Sequence, residues 1–132
     1  MLEAEMRDWQ LNKGATDESM HHAVASLGYS LPKDYEEFLR EHNGGEGFVG
    51  KDYLILWKVE ELEPFNREYE VDKYAPRLLL FGSNGGGEAY GFDTRSAMLP
   101  VVRVPFIGMD LKYATPVANS FSELFTWLRT CP

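Results

Sequence analysis

The stretch LPKDYEEFLREHNGG, residues 31–45, carries the signals that begin, orient and end one helix. Pro32 fits the first helical turn, where its missing N–H group costs nothing. Apolar residues recur at helical spacing and form one stripe, at Leu31, Tyr35, Phe38 and Leu39. The Gly44-Gly45 pair favours an ending here, because glycine adopts positive φ without a Cβ clash. The stretch therefore predicts an amphipathic helix with one face on a core.

A second helix is predicted just before it, in TDESMHHAVASLG, residues 16–28. Thr16 suits the N-cap position, and Gly28 suits the left-handed residue that follows a helix. The apolar residues again fall on one helical face, at Met20, Ala23, Val24 and Leu27. Two helices are thus expected before any sheet.

Apolar runs in the middle of the chain predict strands. YLILW, residues 53–57, is typical of a buried strand. The following RLLLFGSNGGGEAYGFDT predicts a β-hairpin with strands at 78–81 and 88–93. Its turn is expected at 84–87, where Asn-Gly favours the primed turn types.

Two further elements follow from the residues between and after these strands. VEELEPFNREYEV, residues 59–71, is rich in acids at helical spacing, and Pro64 predicts a break or a restart of that helix. A further strand is predicted at 101–104, where Pro100 and Pro105 limit its length.

The last helix has a clear start. SFSELFTWL, residues 120–128, begins with a capping box in which Ser120 and Glu123 each satisfy an exposed backbone N–H group. Two helices, a run of strands and a final helix predict an α+β fold. A length of 132 residues fits a single domain, residues 1–132.

The composition is that of an ordinary globular domain, with 44% hydrophobic and 26% charged residues. Cys131 is the single cysteine, so no disulfide can form within the chain. The opening MLEAEMRDWQ has acids and no apolar core of a signal peptide. No run approaches the roughly 18 apolar residues of a membrane span. We expect a cytoplasmic protein.

Negative charge is concentrated in the middle third of the chain. Residues 34–72 contain twelve of the 21 acidic residues and four of the 13 basic ones, a net charge of −8 that equals that of the whole chain. Such a segment repels phosphate backbones and attracts a basic partner. It is either a solvated acidic face or a partner-binding surface, whose candidate residues are Glu46, Asp52, Glu60, Glu61, Glu63, Glu68, Glu70 and Asp72.

The ordered set of motifs resembles the SUKH superfamily, which is named partly for a yeast regulator of cell-wall assembly. The matching pieces are LPKDYEEFLREHNGG, LILWKVEELEPFN, LLLFGSNGGGEAYGFDTR, VVRVPFIG and SFSELFTWL, within residues 31–128. The first helix and Trp9 also fit the N-terminal extension of the superfamily. The resemblance implies a twisted, mostly antiparallel sheet with flanking helices. Its recurrent residues are fold determinants, here Leu31, Pro32, Tyr35, Gly44, Gly45, Gly86, Phe92 and Asp93.

The resemblance also implies a role. Bacterial members are often immunity proteins that bind and neutralise a cognate toxin, commonly a nuclease, of a contact-dependent or polymorphic toxin system. It supplies no catalytic residue, no metal ligand and no cofactor. We therefore expect a protein partner, a basic toxin domain. The alternative is a regulatory or scaffolding module that binds a host protein, as in the regulation of cell-wall assembly.

Motifs for other chemistry are weak, and we expect no enzyme. The glycine-rich GSNGGGEAYG lacks the Gly-Lys-Ser/Thr ending of a phosphate-binding loop, so a turn is favoured. His21 and His22 point about 100° apart on a helix and His42 is a lone third, so surface or capping roles are favoured over a metal site. Cys131 is near the chain end, where an activating base is rare. No basic cluster with interleaved aromatic residues indicates nucleic-acid binding.

Overall fold

The computed structural model describes residues 6–130 as one seven-stranded sheet with five α-helices and a short 3₁₀ helix. Cys131 lies outside the described residues. In chain order the elements are β1 (Gln10–Leu11), α1 (Asp17–Leu27), α2 (Lys33–Glu41), β2 (Gly45–Val49), β3 (Asp52–Leu56), α3 (Val59–Glu68), α4 (Val71–Tyr74), β4 (Leu78–Ser83), β5 (Glu88–Asp93), β6 (Val101–Pro105), the 3₁₀ helix (Leu111–Tyr113), β7 (Thr115–Ala118) and α5 (Phe121–Thr130).

The sheet is a meander in which spatial order follows chain order from β1 to β7. Every neighbouring pair is antiparallel. Helices enter between β1 and β2 and between β3 and β4, and α5 follows the last strand. The predicted single α+β domain, with a mostly antiparallel sheet and flanking helices, is confirmed. No helix within residues 6–130 has the length and apolar character to cross a membrane.

The ends of α1 and α5 follow the predicted caps. The Thr16 hydroxyl accepts a hydrogen bond from the backbone N–H of Ser19 at 3.1 Å, and Gly28 has the left-handed φ of 76°. The Ser120 hydroxyl accepts from the backbone N–H of Glu123 at 3.2 Å. The other half of the predicted capping box is wrong, because the Glu123 carboxylate accepts from the Ser120 hydroxyl at 3.3 Å and not from its backbone N–H. Local sequence therefore fixes these helix boundaries without help from distant residues.

The ends of α2 differ in detail from the prediction. Pro32 occupies the N-cap position, one residue before the helix. The helix ends at Glu41, and His42 caps it in an extended conformation with φ −142°, so no left-handed glycine closes it. Gly44 turns the chain into β2 with φ +82°, and a Cβ there would lie 2.6 Å from the carbonyl oxygen of Leu56. The glycine is thus required by the turn and by close backbone contact.

Pro64 does not break its helix, because α3 runs through it from Val59 to Glu68. The chain changes direction two residues after that end, at Glu70, which has a positive φ of 54°. Proline removes one hydrogen bond inside the helix, and packing of Val59 and Leu62 in the core offsets that loss. The break predicted at Pro64 is therefore wrong.

The predicted hairpin is present, but its turn is not a two-residue primed turn. The β4 strand continues to Ser83, and residues 84–87 form a four-residue connection. The Asn84 side-chain oxygen accepts from the backbone N–H groups of Gly86 and Glu88, at 2.8 and 3.1 Å. Asparagine side chains favour such local bonds, and here the side chain itself organises the loop.

Three strands, β1, β2 and β7, were not predicted. The residues of β2, GEGFV, include two glycines, and β7 contains Pro116, so neither has the pattern of a strand. The burial and pairing of these strands depend on residues of neighbouring elements. The Trp9 ring covers Gly47, and its indole N–H donates to the carbonyl oxygen of Phe48 at 2.9 Å. Tertiary context thus overrides local preference in these strands.

The first face of the sheet holds the aromatic core beneath α2 and α5. The Tyr35 ring lies 5.4, 5.3 and 4.9 Å from the rings of Phe81, Phe92 and Phe121, and Phe81 lies 4.6 Å from Phe92. All four side chains are buried. We call these four residues the core cluster. They join α2, α5, β4 and β5 into one hydrophobic unit.

The second face is open at one end. Directly opposed residues of antiparallel strands share a face, and one such row is Glu46, Ile55, Ser83, Ala89 and Val104. Ala89 and Val104 are fully buried, Ile55 is half-buried and Glu46 is exposed. The second face is therefore exposed where β2 and β3 form it.

Candidate protein-interaction site

The eight candidate carboxylates fall into two groups. Six of them lie on α3, on α4 or between these helices, namely Glu60, Glu61, Glu63, Glu68, Glu70 and Asp72. Glu46 is on β2, and Asp52 begins β3 opposite Val49. The eight candidate carboxylates thus occupy one helical region and two separate positions on the sheet.

An acidic groove runs between α1 and α3. Its first part, of about 270 Å³, is lined by Glu18, Glu60 and Glu63 beside His22. A second part of about 420 Å³ shares Glu63 and is also lined by Glu70, Asp72, Arg67 and Lys73. We call the two parts together the α1–α3 groove. Its first part has three carboxylates and no lysine or arginine, so it favours a cationic partner.

Two of the predicted carboxylates hold the fold. The Asn43 amide donates to Glu60 at 2.7 Å and accepts from the backbone N–H of Val59 at 2.7 Å. The Glu61 carboxylate accepts from the backbone N–H of Lys58 at 2.9 Å and so caps the start of α3. Changing Glu60 or Glu61 therefore disturbs the folded state as well as the surface charge.

The other helical carboxylates have fewer internal hydrogen bonds and ion pairs. Glu63 pairs with Arg67 one turn later at 2.8 Å, and exposed pairs of this kind contribute about 0.5 kcal/mol or less. Within residues 6–130, the side chains of Glu68, Glu70 and Asp72 have no hydrogen bond or ion pair. These three can meet a partner without loss of an internal contact.

Glu46 belongs to a different surface. The Tyr53 hydroxyl donates to its carboxylate at 2.6 Å, and this bond raises the pKa of Tyr53 above its ordinary value. A hollow of about 310 Å³ adjoins the pair, and we call it the sheet-end hollow; it is lined by Arg7, Asp8, Gln10, Glu46, Phe48 and Tyr53.

The residues named as fold determinants are mostly buried. Leu31, Tyr35, Gly44, Gly45 and Phe92 are all buried. Gly86 is exposed, and a Cβ added there would meet only Asn84 atoms at ordinary distances of 3.5 Å or more.

Asp93, another of these determinants, organises the loop after β5. Its carboxylate accepts from the backbone N–H and the guanidinium of Arg95 at 2.9 to 3.0 Å. The side-chain bond from Arg95 lowers the pKa of Asp93. These bonds hold the first residues of the loop in place.

The histidines do not converge. His21 and His22 are exposed on α1, and the His42 ring lies 6.2 Å from the Phe38 ring at the end of α2. Within the described part of the chain, no three His, Cys, Asp or Glu side chains are placed to hold a metal ion.

An acidic groove and an open sheet end on a small α+β meander are features of a protein-interaction domain. The chain belongs to the SMI1 / KNR4 family (SUKH-1), whose sequence model matches residues 14–127. This family fits such a domain. The match includes α1, which lies before the motifs from which the resemblance was drawn.

A curated relative is similar over part of the chain. The uncharacterized protein YnaB of Bacillus subtilis (strain 168) is 35% identical over 71 residues, which span 54% of this chain and 44% of YnaB. The match thus covers less than half of the relative's length.

Sequence reasoning missed the sheet-end hollow. Its signal was present in GEGFVGKDYLI, where Glu46 and Phe48 alternate with glycines and precede Tyr53 by a short interval. Glycine weakens a strand signal, so the alternation of one acid and one ring on a shared face was not recognised.

Proposed function

We propose that the chain is an immunity protein that binds and neutralises a basic, nuclease-type toxin of a bacterial polymorphic or contact-dependent toxin system. It acts by occluding the toxin and not by chemistry. The observation that carries the proposal is the α1–α3 groove, which is lined by four of the eight predicted carboxylates, Glu60, Glu63, Glu70 and Asp72, in a member of the SMI1 / KNR4 family.

The electrostatics of the groove support a basic partner. Glu70 and Asp72 line the second part of the groove, and Glu68 directly follows Arg67, another lining residue. Arg67 and Lys73 line the same part, but within residues 6–130 none of the three carboxylates forms an ion pair. A nuclease carries basic residues for its phosphate substrate, so its active surface complements these carboxylates. Association with such a surface is fast at low ionic strength and slows as salt screens the charges.

The test first searches the genes beside the gene for this chain for a basic toxin domain, and then measures the affinity for that domain by calorimetry at low and high salt. The informative variant is the double change Glu68→Lys and Asp72→Lys, because neither side chain has a contact to lose within residues 6–130. We expect it to weaken binding by about tenfold or more. A triple change at Glu60, Glu61 and Glu63 is a poorer test, because the first two hold the fold.

The matched control is Glu37→Lys with Glu41→Lys. Both residues are exposed on α2, and the control makes the same change in net charge on another helix. Equal loss of affinity in the two double variants would show a general charge effect and remove the groove from the interface. Binding of cellular proteins in place of a toxin would favour the regulatory alternative.

A further inference from the structure

Two aromatic rings and a carboxylate are held together at the open end of the sheet. Phe48 and Tyr53 are directly opposed in the β2–β3 pair, and their rings meet edge to face with centroids 4.9 Å apart. Glu46 lies two residues before Phe48, so it shares the same face. The Tyr53 hydroxyl fixes its carboxylate. Phe48 is nonetheless 64% exposed, which is a large apolar surface for a residue in the middle of a strand.

Glu46 retains most of its capacity to accept hydrogen bonds. A carboxylate accepts about four, and among the described residues Glu46 receives one, from Tyr53. It has no ion-pair partner in that part of the chain. Arg7 and Asp8 also line the hollow, and their formal charges sum to zero. The hollow therefore keeps the negative charge of Glu46.

We propose that the sheet-end hollow receives an arginine side chain of the basic protein partner. The guanidinium lies against the Phe48 and Tyr53 rings and donates to the Glu46 carboxylate. The inference rests on the proposed function for the identity of that partner, but not for the chemistry of recognition.

Arginine fits this hollow better than the other basic side chain. Its planar guanidinium stacks on aromatic rings and donates two parallel hydrogen bonds to a carboxylate. A lysine ammonium is a compact, strongly hydrated charge that cannot cover a ring and bind bidentately at once. Covering Phe48 also removes apolar surface from water, as the anchor residues of protein interfaces do.

The hydroxyl of Tyr53 gives the site its rigidity. Because the Tyr53 hydroxyl already holds the Glu46 carboxylate, the carboxylate loses less rotational freedom when the guanidinium binds. This smaller entropy cost favours binding. The hollow is separate from the α1–α3 groove, because it is formed by β1, β2, β3 and the segment before β1. A toxin that contacts both would combine charge steering at the helices with an anchored side chain at the sheet.

The first test needs no protein partner. Amide-resolved NMR of the labelled full chain is recorded during titration with N-acetyl-arginine methylamide, and separately with the citrulline analogue, which has the same shape without the charge. We expect saturable shifts in β2 and β3 with the arginine probe alone. Glu46→Gln and Phe48→Ser should each abolish them, whereas Met98→Ser, at another highly exposed apolar residue, should not.

Absence of a saturable shift in β2 and β3 with the arginine probe would overturn the inference. Equal shifts with citrulline, or shifts that persist in Glu46→Gln, would overturn it too, since the carboxylate would not be the receptor.

The second test measures affinity for the toxin domain. We expect Glu46→Gln to weaken binding by about tenfold. If Glu68→Lys with Asp72→Lys weakens binding and Glu46→Gln does not, the toxin contacts the groove and not the hollow, and the inference fails while the proposed function stands. If the unaltered chain does not bind the toxin at all, the proposed function fails, and the arginine titration decides the inference independently.

Discussion

The core cluster and the sheet-end hollow use the same kinds of side chain under opposite conditions. Each contains a tyrosine packed against phenylalanine on the sheet. In the core cluster, Tyr35 is fully buried and its hydroxyl has no hydrogen-bond partner within residues 6–130. In the hollow, Tyr53 is partly exposed and its hydroxyl is bonded to Glu46 at 2.6 Å.

This difference shows what each region contributes. The core cluster tolerates an unsatisfied polar group because the surrounding rings bury a large apolar area, and each buried aromatic side chain contributes several kcal/mol. The hollow buries little, yet it fixes the position of a carboxylate. The core cluster therefore contributes to stability, whereas the second face is exposed at β2 and β3.

The largest expected effect is a difference in the free energy of unfolding when phenylalanine is changed to alanine in the core cluster and in the sheet-end hollow. Phe121→Ala should lower the free energy of unfolding by about 3 to 5 kcal/mol, because the side chain is fully buried among Tyr35, Phe81 and Phe125. Phe48→Ala should change it by less than about 0.5 kcal/mol, because that ring is mostly exposed. Urea denaturation of both variants measures the contrast. Similar losses in the two would mean that Phe48 belongs to the core.

The next effect compares the stability cost of changing Gly44 and Gly86, two glycines that the sequence motifs both name as fold determinants. Gly44→Ala should cost about 2 kcal/mol or more, because φ is +82° and the Cβ would lie 2.6 Å from the Leu56 carbonyl oxygen. Gly86→Ala should change stability by less than about 0.5 kcal/mol, because its Cβ meets ordinary contacts. Thermal unfolding of the pair is the measurement. A large loss at Gly86 would show that the loop after β4 needs this residue for a reason other than space.

The sequence predicted the elements whose signals are local. The caps at Thr16 and Gly28, the apolar face of α5 and the strands flanking residues 84–87 all depend on neighbours within one turn or one hairpin. The α+β class follows from their order. Helix boundaries were accurate to within one or two residues where a cap was present.

What could not be predicted depends on residues far apart in the chain. Asp34 illustrates this, because its carboxylate accepts from the backbone N–H of Tyr35 and also from the backbone N–H and hydroxyl of Ser122. One side chain thus bonds within the first turn of α2 and joins that turn to the start of α5, 88 positions later.

The candidate site was predicted in part for the same reason. Counting charges located the acidic third, and six of its eight named residues do lie on or between α3 and α4. Counting could not distinguish Glu60 and Glu61, which bond to the fold, from Glu68 and Asp72, which do not. It also could not place Glu46 beside two rings, because that neighbourhood is created by the pairing of β2 with β3.

The smallest expected effect compares the two tyrosine hydroxyls. Tyr35→Phe should raise the free energy of unfolding by about 1 kcal/mol at neutral pH, because it removes a buried donor that has no partner within residues 6–130. Tyr53→Phe removes an exposed hydrogen bond and should lower that free energy by less than about 0.5 kcal/mol. Urea denaturation gives both values. A loss of stability in Tyr35→Phe would mean that the buried hydroxyl is satisfied after all.

The pH dependence sharpens the same comparison. Burial raises the pKa of Tyr35 above its ordinary value of 10.0, so the neutral phenol is favoured in the folded state. The contribution of this residue to stability is fully present below pH 10.0 and is lost as the pH rises above it, because the unfolded chain then ionises first. The loss is about 1.4 kcal/mol per pH unit from one such group, and Tyr35→Phe lacks it. The stability advantage of the variant should therefore widen above pH 10.0 in denaturation measured across alkaline buffers. A constant difference between the two proteins would contradict this prediction, because it would mean that the Tyr35 phenol ionises as readily in the folded chain as in the unfolded one. Enclosure of the hydroxyl by Phe81, Phe92 and Phe121 opposes that ionisation.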